Sequence, residues 1–241
     1  MIVSTNEKVK LNSFISHSGL CSRRKADLLI LQGKIFVNGE KITKLGKIIN
    51  NTDIVVFKNK ILKIEKNFEY ILLNKPINCI TTASDPQHRK TVFDILKDKI
   101  KARIFPVGRL DRNTTGLLLL TNDGALTQKL THPSSNVKKK YKLILDREIT
   151  HDDEKKIKKG FYLEDGFFKF DEINISPDDR KNIIVTLHSG RNRIIRRFFQ
   201  NIGYKIKMLD RFFYAGLIKK NIKQGEYRKL SKDEINKLKK L

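Results

Sequence analysis

The chain has 241 residues and a formal net charge of +25, from 51 Lys and Arg against 26 Asp and Glu. That length accommodates one or two domains with a true core, and a charge of this size favours a polyanionic partner, most simply nucleic acid, by releasing condensed counterions. No apolar run is long enough to span a bilayer and no signal peptide opens the chain, so membrane and secretory classes are set aside and a cytoplasmic location is expected.

Lys, Ile and Asn are all abundant, a bias that inflates the charge without creating it. Cys21 and Cys79 have no paired metal spacing and are expected to be reduced, small, buried side chains. His17, His88, His132, His151 and His188 are scattered with no helix-face pairing, so no metal site is expected. No Walker or dinucleotide-type glycine loop is present, and no cofactor is expected either.

In chain order, Lys8 to Ile64 reads as a small separate unit, and the polar stretch Glu65 to Glu69 reads as a linker; the domains are assigned as residues 8–66 and 69–241. Leu11, Phe14 and Ile15 form a short helical stripe. Ser22 is a good N-cap for a second helix with Ala26, Leu29 and Ile30 on its apolar face and Gly33 as its stop. Ile35 and Val37 alternate ahead of an Asn38-Gly39 hairpin turn, and Asp53–Phe57 and Ile61–Ile64 read as two further strands. Arg23, Arg24 and Lys25 sit in the first turn of the second helix, where the macrodipole disfavours cations by roughly a few tenths of a kcal/mol each. That placement suits either an anion-binding site or a solvated basic face. The stretch "KLNSFISHSGLCSRRKADLLILQGKIFVNGEKI" resembles the alpha-L RNA-binding module, the fold named after a ribosomal small-subunit protein. By that resemblance Ser22, Arg23, Arg24 and Lys25 touch structured RNA.

In the second unit, Tyr70–Leu73 is an apolar strand stopped by Pro76, and Thr91–Leu96 is a short helix capped by Thr91. Leu117–Leu120 is continuously apolar and bounded by polar turns, the pattern of a strand buried on both faces. A helix carrying Leu126 and Leu130 follows Asn122-Asp123-Gly124; Tyr141–Leu145 is a strand, Asp152–Lys159 a polar helix closed by Gly160, Ile183–Leu187 a strand, and Ile194–Ile202 a helix ending at Gly203. Strands and helices mix without regular alternation, so the expected class is α+β: two helices and a small sheet in the first unit, then a mixed, largely antiparallel sheet flanked by helices.

Three stretches carry candidate chemistry. In "FPVGRLDRNTTGLLLLTNDG", Arg109 and Asp111 share a face of an extended segment and Arg112 adds a second cation. Such neighbours favour an ionised carboxylate, although most Asp–Arg pairs of this kind only stabilise a turn. In "GRNRIIRRFF", Arg191, Arg193, Arg196 and Arg197 crowd a helix start, suited either to a carboxylate partner or to phosphates. In "VKKKYKLIL", Tyr141 follows Lys138, Lys139 and Lys140, so its ring serves either as a base-stacking surface or as core.

Together, "GRLDRNTTGLLLLTNDG", "NKP", "KKYKL", "GRNRIIRRF" and "GEYRKLS" resemble the RNA pseudouridine synthases, in the expected order. With the N-terminal module, the chain is similar to the branch acting on ribosomal RNA. "SDPQHRKTVFDIL", "THPSSNVKKKY", "LEDG" and "GRNR" look most like the large-subunit pseudouridine synthase B group; small-subunit enzymes more often show Tyr-His where this chain has Asn192-Arg193. The resemblance implies Asp111 as catalytic carboxylate, Tyr141 stacked on the target base and Arg196 paired with Asp111. It implies Arg109 bracing the loop or the RNA backbone and Leu209 lining the pocket floor, with Lys138, Lys139, Lys140, Arg191, Arg193 and Arg197 on RNA. By that resemblance Asp210, beside Arg211, is a departure, since relatives are often neutral or basic there.

The implied reaction is the isomerisation of a uridine to pseudouridine in ribosomal RNA. Large-subunit RNA in its peptidyl-transferase region, free or in a pre-ribosomal particle, is the favoured substrate. The reaction acquires no group and changes no oxidation state, consistent with the missing cofactor signatures. The rival readings are a small-subunit synthase and a non-catalytic RNA-binding or assembly factor. A monomer is expected, since no coiled-coil seam is visible.

Overall fold

In a computed structural model of the protein, residues 8–50, 52–65, 67–83, 85–97, 99–100 and 102–241 are described, and the chain forms two compact units that divide between Phe68 and Glu69. Lys66, the boundary assigned to the first domain from sequence, lies outside the described residues.

The first unit opens with two helices, Leu11–His17 and Arg23–Leu31. Ser22 caps the second by accepting from the Lys25 backbone N–H at 3.2 Å. The chain then forms a four-stranded sheet in the order Glu40–Ile42, Ile35–Val37, Val55–Phe57, Lys60–Ile61. Its two hairpins turn at Asn38-Gly39 and Lys58-Asn59, all four with positive φ, the geometry whose twist matches paired strands. Leu11, Phe14, Ile15, Ala26, Ile30, Ile35 and Val55 form its core.

The second unit is built on a nine-stranded sheet among the described residues. Its main path runs Glu172–Ile175, Asn182–Leu187, Lys139–Leu145, Ile206–Tyr214, Thr115–Thr121, Tyr70–Lys75, Tyr227–Lys229. Neighbours pair antiparallel except Ile206–Tyr214 with Thr115–Thr121, which pair in parallel. The four leucines explain why this central strand is buried on both sides. Leu118 and Leu120 pack into one apolar cluster with Leu143, Phe198 and Phe199, while Leu117 and Leu119 pack into a second with Tyr214 and Leu238. Each fully buried leucine contributes roughly 2 kcal/mol of transfer free energy.

Several elements are absent from the sequence reading, among them the strands Phe161–Leu163, Gly166–Phe168, Glu172–Ile175 and Tyr227–Lys229, and for two others the cause is plain. The Ile206–Tyr214 strand is interrupted by Lys207, Asp210 and Arg211, which hide its alternation. The C-terminal helix Lys232–Lys240 is too polar to show a strong apolar stripe, although Ser231 and Glu234 form a reciprocal capping box at its start. Cys21 and Cys79 are both buried and unbridged. Among the described residues, no helix is long and apolar enough to cross a membrane.

The parallel seam joins the two antiparallel halves of the sheet, and it depends on a glycine. Gly116 has φ +108°, and a Cβ there would lie 2.2 Å from the Arg211 carbonyl oxygen. Gly116→Ala is therefore expected to destabilise the second unit by roughly 3 kcal/mol or more, read as a lower urea midpoint. An unchanged midpoint would show that the two strands can separate without penalty.

Candidate functional site

Asp111 lies on the loop that precedes the central strand, and its two neighbours are held from behind. Thr81, itself buried, receives the Leu110 N–H at 3.3 Å and donates to the Leu110 carbonyl at 2.9 Å. On the other side, the Lys75 ammonium donates to the carbonyls of Cys79 (2.7 Å), Pro76 (2.9 Å) and Arg112 (3.3 Å). Lys75 is 0% exposed, and burial pushes its pKa down to about 8 against the opposing pull of Cys79 and Asp111. The Thr114 N–H closes a turn onto the Asp111 carbonyl at 3.1 Å.

Two arginines from the start of the Ile194–Asn201 helix reach this loop. Arg193 donates Nη1 to Asp111 Oδ2 at 3.1 Å. Arg196 places Nε 4.0 Å from the same oxygen and donates Nη2 to the Asn113 carbonyl at 2.9 Å. The resemblance implied Arg196 as the partner of Asp111 and placed Arg193 on RNA; here Arg193 makes the shorter contact while Arg196 braces the loop. Burial, and then the proximity of Arg193, lower the Arg196 pKa. Arg193 adopts a left-handed φ of +47° as the helix N-cap, a conformation non-glycine residues enter rarely. Such a backbone is a local strain of the kind that collects at functional sites.

These groups line a cleft of about 690 Å³, within the range of small-ligand sites. Tyr141 and Leu209 line it as well, both buried, on neighbouring strands of the sheet. Arg109 lines it and is exposed. Arg211, 3% exposed, sits in register between Tyr141 and Gly116, donates Nε to the Leu117 carbonyl at 2.8 Å and stacks over the Tyr214 ring. Its neighbour Asp210 accepts from Lys219 at 2.7 Å and from the Thr115 hydroxyl at 2.6 Å, so this departure from the family pattern is neutralised internally.

The remaining basic residues divide by role. Lys139 donates to the carbonyls of His188 (2.6 Å) and Ser189 (3.3 Å), and burial followed by the nearby Arg211 lowers its pKa to about 8. Lys140 pairs loosely with Glu172 at 3.8 Å, and Lys138 is exposed. Arg197 gives a bidentate pair to Asp165 at 3.0 and 2.7 Å, and Arg191 donates to the Gly166 and Phe167 carbonyls. Both arginines therefore hold a neighbouring hairpin. In the first unit, Ser22, Arg23, Arg24 and Lys25 are all exposed at the start of their helix. Among the described residues, no group of three or more His, Cys, Asp and Glu side chains is placed to hold a metal ion.

Sequence reasoning met Lys75 only inside the "NKP" motif and gave neither it nor Thr81 a role. The signal for Lys75 was available: a lysine stands two residues after the apolar run Tyr70–Leu73, just before Pro76. Thr81 had none, because its partner lies 29 residues away. Chemically, the assembly presents one fixed carboxylate, faced by two guanidinium groups, in a cleft that also contains a tyrosine ring and an apolar floor. It can stabilise positive character on a sugar carbon beside a stacked planar base.

The RNA pseudouridylate synthase family model matches residues 69–201, and the S4 domain model matches residues 9–55. The chain is 40% identical to an uncharacterized RNA pseudouridine synthase of Aquifex aeolicus, over 96% of this chain and 94% of that one. It is 39% identical to the ribosomal large subunit pseudouridine synthase B of Bacillus subtilis, over 96% of each. It is 32% identical to the dual-specificity RNA pseudouridine synthase RluF of Escherichia coli, over 95% of this chain and 78% of that one. A crystal structure of a pseudouridylate synthase superposes with a TM-score of 0.68 at 27% identity, over 95% of this chain and 99% of the other.

The buried Lys75 has a stability signature. Its amine titrates at about 8 in the folded protein and near 10.5 once exposed, so unfolding takes up a proton between those values. Its contribution to stability therefore rises with pH across that window. Urea unfolding of the wild type and Lys75→Met between pH 7.5 and 10.5 is expected to show a wild-type-minus-variant difference that climbs with pH. A flat difference would mean that Lys75 is not held as a desolvated cation.

Proposed function

The chain belongs to the RNA pseudouridylate synthase family, and we propose that it isomerises a specific uridine of large-subunit ribosomal RNA, with Asp111 as the carboxylate that meets the reacting ribose. The observation that carries the assignment is the Asp111 carboxylate, fixed against Arg193 at 3.1 Å in a cleft that also contains Tyr141.

In pseudouridine formation the N1–C1′ bond of uridine breaks, the base turns and a C5–C1′ bond forms. The C5 proton leaves, N1 ends protonated, and no electrons pass to a second molecule. Positive character develops at C1′ when the first bond breaks, and a carboxylate beside that carbon meets it, as carboxylates do in glycoside hydrolysis. A uridine inside a helix must first leave its stack, which the cleft accommodates. We assign Tyr141 to the face of the flipped base and Leu209 to the floor beneath it. Arg196 positions the loop through Asn113, and Arg109 at the rim meets the RNA backbone. RNA covering the cleft keeps water from competing for C1′ while the base turns.

The large-subunit assignment is supported by the full-length similarity to the Bacillus subtilis large-subunit enzyme. The exposed cations Arg23, Arg24 and Lys25, in the S4-type unit, give the chain a second hold on structured RNA. A purely binding or assembly role would not need a carboxylate held open to the cleft.

Pseudouridine mapping in ribosomal RNA from a strain lacking the protein is expected to show one large-subunit site missing. Wild-type protein should restore it, and Asp111→Asn should not. In vitro, Asp111→Asn should lower turnover by about a thousandfold or more while largely preserving RNA affinity. A missing small-subunit site would reassign the substrate, and an unchanged map would remove the catalytic reading.

A further inference from the structure

Beside the cleft, Phe161–Leu163 and Gly166–Phe168 form a two-stranded antiparallel hairpin outside the main sheet. Its two faces differ sharply. On the inner face, Phe161 stacks on Phe198 with centroids 4.1 Å apart, and Phe168 is buried against Phe170 and Phe198. On the outer face, Tyr162 and Phe167 oppose each other directly across the strands, centroids 5.4 Å apart, and are 78% and 47% exposed. Strand alternation forces one residue of each strand outward, but a lysine or threonine would serve that purpose without leaving two rings in water.

We propose that Tyr162 and Phe167 form a stacking platform for an unpaired base of the substrate RNA next to the flipped uridine. Phe167 lines the cleft, so the platform is continuous with the place where the uridine enters. Lys169, two residues on and exposed, and Arg191, which donates to the Phe167 carbonyl at 3.1 Å, also line the cleft and supply cations for the adjoining phosphates. The hairpin tip carries two acids: Asp165 is neutralised by Arg197 and lies 3.7 Å from Arg191, and the exposed Glu164 beside it also acts on Arg197. That clamp also fixes the hairpin, so the rings need little ordering when RNA binds. An unpaired base is the partner that an aromatic pair in a cationic setting fits, because stacking is tolerant of sequence and the phosphates satisfy the charge.

The proposal rests on the ribosomal RNA reading above, and the test separates the two. The chain has no tryptophan, so Tyr162→Trp creates a single fluorescent reporter. Its emission is expected to be quenched when a large-subunit ribosomal RNA transcript binds. Tyr162→Ala and Phe167→Ala should each weaken binding of that transcript about tenfold, with unchanged thermal unfolding, since the inner face carries the packing. Tyr162→Phe and Phe167→Tyr should restore it. Unquenched emission on bound RNA together with full affinity of both alanine variants would overturn the platform. So would weakened binding to assembled particles but not to the naked transcript, which would assign the rings to a protein partner. Wild-type protein that binds the transcript without forming pseudouridine would instead overturn the functional reading, and quenching would still decide the platform.

Discussion

The Asp111 carboxylate faces the cleft because both residues flanking it are held from behind, Arg112 by a buried ammonium and Leu110 by a buried hydroxyl. Lys75 is the costlier of the two. Removing a cation from water is penalised by several kcal/mol unless hydrogen bonds replace the lost hydration. Three carbonyls supply that replacement, and one of them belongs to Arg112. The loop thus inherits its rigidity from the strand ending at Lys75, which pairs along its length with the leucine strand. Positioning of this kind, built on sheet rather than on loop, is what a reacting carboxylate requires.

The arginines on the opposite wall complete the arrangement, and they do not act alike. Arg193 is about half exposed and bonds the carboxylate directly. Arg196 is largely enclosed and touches Asn113 and Ile206 carbonyls as well as approaching Asp111. Arg197 and Arg191, from the same short stretch, turn the other way and hold the aromatic hairpin. One basic segment therefore sets both the carboxylate and the rim of the cleft, which explains why four arginines crowd into seven residues.

Much of the fold was legible locally. Ser22 and Thr91 cap their helices as their sequence positions suggest, because a short side-chain oxygen before an apolar stripe has few better uses. Leu117–Leu120 declared a doubly covered strand, since no solvent-facing position tolerates four leucines in a row. The Ile206–Tyr214 strand did not declare itself, because its charged residues are satisfied by distant partners: Asp210 by Thr115 and Lys219, Arg211 by the Leu117 carbonyl. The same limit applies to the site. Asp111 and the arginine cluster stood out as residue types, but which arginine meets the carboxylate depends on the left-handed turn at Arg193, which no spacing encodes. Thr81 was invisible for the same reason, being defined only by the loop it holds.

The most direct measurement is a crystal structure of the protein with a large-subunit ribosomal RNA fragment carrying its target uridine. The account requires that uridine to be out of its stack, its base against Tyr141, and its C1′ within about 3.5 Å of an Asp111 carboxylate oxygen. A uridine still stacked in the RNA, or seated in the cleft with its sugar turned away from Asp111, would contradict it.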